Sequence, residues 1–105
     1  MQIQVNTDSN IEGQRKLTAH VRSVVESALC RFSDRITRVE VHLSDQNGDR
    51  SGHDDKRCMM EARLKGRQPT AVTHHAATLG QAVDGAADRM QRSIESALGR
   101  LRDQG

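Results

Sequence analysis

Apolar positions along the chain switch between two periods, and the switches mark out six elements. Ile3 and Val5 alternate with polar neighbours over Gln2 to Asn6, which predicts a short strand, and Thr7 to Asn10 supply turn residues. Leu17, Val21, Val24, Val25, Ala28, Leu29 and Phe32 then recur at steps of three and four, a single stripe on one helix. Its start is expected near Glu12, where Ser9 and Glu12 have the spacing of a capping box, with Gly13 weakening the first turn. From Ile36 to Ser44 the period returns to two, with Val39, Val41 and Leu43 on one face and Arg38, Glu40 and His42 on the other. A third strand from Lys56 to Leu64 puts Cys58, Met60, Ala62 and Leu64 inward and Arg57, Met59, Glu61 and Arg63 outward. Lys65 to Pro69 turns the chain into a fourth strand, Thr70 to Ala76, whose facing the pattern leaves open. Thr78 and Gln81 repeat the capping-box spacing ahead of a second helix, with Leu79, Ala82, Val83, Ala86, Met90, Ile94, Ala97, Leu98 and Leu101 on its stripe.

The order βαβββα, without repeat or linker, predicts an α+β fold: a four-stranded sheet with two helices packed on one face, as in double-stranded-RNA-binding domains. A strand, helix, strand unit prefers a right-handed crossover, which lays the first strand parallel to a neighbour. The other face of the sheet is left to solvent, carrying Arg38, Glu40, His42, Arg57, Glu61 and Arg63. Asp45 to Asp55 holds Asn47, Gly48, Gly52 and four Asp with no apolar residue, and is expected to be a mobile connection dispensable for folding.

Composition narrows this picture at five points. The 105 residues set one domain, 1–105, and Phe32 is the single aromatic, so the core is aliphatic. No apolar run approaches the roughly 18 residues of a membrane span and the N-terminus lacks a leader pattern, so a cytoplasmic protein with no membrane partner is expected. Sixteen Lys and Arg against fourteen Asp and Glu leave a formal charge of +2, so any basic surface must come from segregation. Thirteen of those sixteen are Arg, whose planar fork suits bidentate phosphate contacts, although a GC-rich genome gives the same bias. Cys30 and Cys58 lack C-x-x-C spacing and read as packing cysteines.

Catalytic and metal chemistry find little support. His74 and His75, with His42 or Cys58, suggest a metal site, but neighbours on a strand point to opposite faces and cannot close on one ion without a bulge. No Ser, His and acid cluster is implied, so neither enzymatic activity nor a cofactor nor a small-molecule substrate is expected. The open sheet face lacks aromatics, which argues against a surface that stacks bases.

Phe32, Asp34, Arg35 and Ile36 leading into Val39, Val41 and Leu43, together with Gln81, Ala82, Val83 and Asp84 followed by Asp88 and Arg89, resemble the ribosome hibernation factor family, also called the ribosome-associated inhibitor or sigma-54 modulation protein family. The resemblance covers nearly the whole chain and implies a short form without a C-terminal dimerisation domain. It implies a non-enzymatic translation inhibitor of stationary phase or stress, with the small ribosomal subunit and its rRNA as partners and basic residues on the RNA. The chain departs from the family at Gly80, where a large residue is usual, and in its Lys-poor C-terminus. The alternative is an interaction module of the same fold that has lost ribosome binding and contacts a protein partner instead.

Projected at 100° per residue, Arg89, Arg92 and Arg100 fall on one flank of the second helix and Asp84, Asp88, Gln91 and Glu95 on the other, with Arg102 on the acidic side. The Arg edge suits an RNA backbone while the acidic flank faces away or meets a basic partner; equally, pairs such as Asp88 to Arg92 are what any solvated helix carries. On the first helix His20 and Arg31 flank the stripe on one side, Arg15 and Arg22 on the other. Arg35 and Arg38 lie where the family resemblance is greatest, and Lys65 and Arg67 occupy a turn. The expected RNA-binding set is therefore Arg22, Arg31, Arg35, Arg38, Lys65, Arg67, Arg89, Arg92 and Arg100.

Overall fold

A computed structural model describes residues 1–7, 14–45 and 56–104, with side chains over all of these except 14 and 100–104. Its elements follow the predicted order: β1 (Gln2–Thr7), α1 (Gln14–Leu29) continued by a 3-10 turn (Cys30–Phe32), β2 (Ile36–Asp45), β3 (Lys56–Leu64), β4 (Thr70–Ala76) and α2 (Leu79–Gln104). The capping box of Ser9 and Glu12 and the connection from Gln46 to Asp55 lie outside the described residues.

The sheet has the order β1-β2-β3-β4, with β1 parallel to β2 and the other pairs antiparallel. Val39, Val41 and Leu43 are buried with Cys58, Met60, Ala62 and Leu64 opposite them. Ile36 is buried too, although it is an odd number of residues from Val39, and a register shift between Ile36 and Arg38 absorbs the extra residue. The facing of β4 is settled by Ala76, which is buried, with Val72 packed against the core and His74 on the same face. Both helices cover this one face: Val21, Val25 and Leu29 from α1 and Ala82, Val83, Ala86, Ala87, Met90 and Ile94 from α2 join the strands in one aliphatic core.

The two helices run side by side in the same direction. His20 meets Asp84 and, eleven residues further along each segment, Arg31 in the 3-10 turn meets Glu95. The cause is topological: β1 and β4 run the same way in the sheet, and each leads into a helix that returns along it. Thr78 caps α2, its hydroxyl accepting from the Gln81 N–H at 3.1 Å and its carbonyl accepting from the Ala82 N–H at 3.0 Å.

Candidate nucleic-acid interface

Among the described residues, basic side chains gather at one end of the molecule, where α1 gives way to β2 and β3 turns into β4. Arg35 N–H donates to the Phe32 carbonyl at 2.8 Å and Lys65 N–H to the Arg35 carbonyl at 2.9 Å, so the two connections are stitched together. Gly66 takes a φ of 70°, the left-handed conformation that turns the chain between Lys65 and Arg67. Arg67 then reaches across to α2, donating from Nη1 to the Ala97 carbonyl at 2.7 Å. One step up the open sheet face, Arg38 and Arg63 are cross-strand partners. Five of the nine expected residues, Arg31, Arg35, Arg38, Lys65 and Arg67, thus share one end, joined by Arg63, which its period-two pattern had marked only as outward.

These cations differ in what already holds them. Arg31 is paired with Glu95 and lies over the Phe32 ring, its guanidinium carbon 5.0 Å from the centroid. Arg38 binds Gln4 and sits 2.8 Å from Glu40, a carboxylate that also faces Glu61 across the strands. Arg92 pairs with Asp88 at 3.0 Å, the ordinary i,i+4 contact. Among the described residues Arg22, Arg35, Lys65 and Arg89 are exposed and without an ion pair. The side chain of Arg100 lies outside the described residues.

The acidic flank of α2 meets a basic partner, and that partner is α1. His20 Nε2 lies 3.6 Å from Asp84 Oδ1, and the groove between the helices is floored by small residues, Ser23, Ser27, Ala28 and Ala87, with Asp88 and Gln91 along its α2 wall. Arg89 and Arg92 lie on α2 away from this seam, and Arg22 on the opposite flank of α1. Of the eight expected residues whose side chains are described, five gather at the end of the molecule and Arg22, Arg89 and Arg92 stand apart on its flanks.

The histidine pair points in opposite directions. His74 is half-buried against α2, where the ring fills the space above Gly85, while His75 is exposed on the open face. Among the described residues no group of three or more His, Cys, Asp or Glu is placed to hold a metal. Cys58, opposite His74 on the neighbouring strand, is buried, and burial pushes its thiol up to about 12. Cys30 is exposed, its Sγ directed at the Ser27 carbonyl at 3.7 Å.

The described residues form an α+β sheet backed by a parallel helix pair, with basic side chains gathered at one end. The chain belongs to the Sigma 54 modulation protein / S30EA ribosomal protein family, whose model matches residues 3–102. This is a ribosome-associated, non-enzymatic kind of protein. No curated protein matches the chain. Among solved structures it is similar to the N-terminal domain of Protein Y from Thermus thermophilus, at 22% identity and a TM-score of 0.73 over 91% of this chain and 98% of that one. A ribosomal subunit interface protein from Coxiella burnetii is similar at 14% identity and a TM-score of 0.71, over 94% and 99% of the two chains. At these identities the likeness establishes the fold.

Proposed function

We propose that the protein is a cytoplasmic translation inhibitor of the hibernation type, acting in stationary phase or stress by occupying the small ribosomal subunit. Membership of a ribosomal family over residues 3–102 is the observation that carries this reading. The fold shared with a ribosomal subunit interface protein supports it. Binding rests on Arg and Lys contacts to rRNA phosphates. Arg35 and Lys65, exposed and unpaired at the basic end, take phosphates without first breaking an internal contact, so they lead, with Arg22 and Arg89 on the flanks. Arg31, Arg38, Arg67 and Arg92 must exchange an internal partner for a phosphate, and each contributes less net affinity.

One observation favours a protein partner instead: four of the expected cations are already engaged, on a chain whose formal net charge is only +2. Co-sedimentation with separated small and large subunits at rising potassium decides between the readings. Retention on the small subunit that falls steeply with salt is the expected result. Retention on neither subunit at low salt overturns the ribosome reading, and small-subunit binding indifferent to salt overturns the phosphate mechanism.

A further inference from the structure

The basic end contains a cleft of about 650 Å³, bounded by Arg31, Phe32 and Arg35 on one side and by Glu95, Leu98 and Gly99 of α2 on the other. That volume lies within the range of sites for small molecules, roughly 300 to 1,000 Å³. We propose that this cleft takes one unpaired nucleotide of RNA, its base stacked on the Arg31 guanidinium and its 5′-phosphate held by Arg35. The proposal rests on the reading of the protein as an RNA-contacting factor, and gives Arg31 a different role from the phosphate contact first expected of it.

Three observations converge on it. Arg31 has its charge matched by Glu95 and one face of its guanidinium laid over Phe32, which makes it a poor claimant for phosphate but a platform already in place. Guanidinium planes stack bases as aromatic rings do, and a platform held before binding spares the entropy of ordering it. Phe32, the single Phe, Tyr or Trp of the chain, thus lies beneath the platform and not on the open sheet face. Next, Arg35 lines the same cleft and is unpaired, leaving its fork free for a phosphate, while the exposed carboxylate of Asp34 can accept from a base N–H.

The third is Gly99. Glycine weakens a helix interior, and in α2 Gly85 has a packing reason because His74 occupies the space a Cβ would need. Gly99 has no such reason: a Cβ there would meet nothing within 4 Å. The space it leaves open belongs to the cleft, and a side chain at this position would fill it.

The test is an amide chemical-shift titration with guanosine 5′-monophosphate, using guanosine and inorganic phosphate as comparators. The nucleotide is expected to move the amides of Arg31 to Arg35 and of Leu98 and Gly99, with guanosine at least tenfold weaker and phosphate leaving Leu98 and Gly99 unmoved. Gly99→Leu should abolish the shifts while its thermal midpoint stays level or rises. Phosphate reproducing the full pattern, shifts scattered elsewhere, or Gly99→Leu binding as well as wild type would each overturn the proposal. Co-sedimentation with the small subunit by wild-type protein that shows no nucleotide shifts removes the cleft and leaves the ribosome reading standing. Nucleotide binding in the cleft without co-sedimentation does the reverse.

Discussion

Gly85 and His74 illustrate how one residue can fix another at a distance in sequence. A Cβ on Gly85 would come within 2.7 Å even of the His74 Cγ, so the ring cannot escape by a small rotation of its tip. Gly85→Ala should therefore lower stability by about 1 to 3 kcal/mol through overpacking, against the gain of up to about 1 kcal/mol that alanine brings to a helix. Adding His74→Ala should return most of that loss, and a denaturant double-mutant cycle measures the coupling; additive effects would show that the two do not compete for space. Cys58 gives a second prediction, in pH. Its thiol ionises near 9.0 when free but only at about 12 in the fold. Below pH 9 it is neutral in both states and has no effect on pH dependence. Between about 9 and 12 the unfolded chain alone loses the proton, so stability falls as pH rises, by about 1.4 kcal/mol per pH unit at most. Cys58→Ala should flatten that fall in urea titrations; an unchanged slope would mean that the folded thiol ionises as freely as the unfolded one. At neutral pH a thiol reagent should modify Cys30 promptly and Cys58 only through unfolding.

Among the elements, those with strict periods were legible in the sequence. Lys56 to Leu64 alternates without a break, and β3 has those bounds and that facing. The stripes of α1 and α2 face the core, because an aliphatic stripe on a short chain has only the sheet to cover it. Where the period breaks, the pattern falls short. Ile36 and Val39 are both buried only because β2 shifts register between them, and β4 hides its facing because a histidine stands among its inward residues and its edge position leaves Val72 part-exposed. The parallel alignment of the helices is a property of strand order, which no single helix pattern contains. The Thr78 cap, by contrast, is local and was readable as a spacing. Thr78→Ala should cost about 1 kcal/mol by removing the acceptor for the Gln81 N–H, and Thr78→Ser should restore it; a loss of a few tenths in thermal or urea unfolding would mean water replaces the hydroxyl.

At the scale of the whole molecule, a near-neutral chain acquires a basic end because, among the described residues, Asp84, Asp88 and Glu95 stand along the helices and Glu40, Asp45 and Glu61 on the sheet. The residue types at that end were legible; their engagement was not, since Glu95 and Ala97 reach Arg31 and Arg67 only through the packing of α2. This sorting makes a prediction about salt. Each phosphate neutralised by a cation contributes roughly 0.7 to 0.9 to the log-log slope of affinity against salt, because binding releases counterions from the nucleic acid. Arg35 and Lys65 are exposed and unpaired, so Arg35→Gln with Lys65→Gln should weaken small-subunit binding and lower the slope by between about 1 and 2. Arg92→Gln should change the slope by much less, because Arg92 already has Asp88 at 3.0 Å and a phosphate must displace it. Thermal midpoints should stay within a degree or two for both variants, since exposed charges contribute little to folding. A double variant with the wild-type slope would remove this end from the RNA interface, and a larger change for Arg92→Gln would move that interface onto the outer flank of α2.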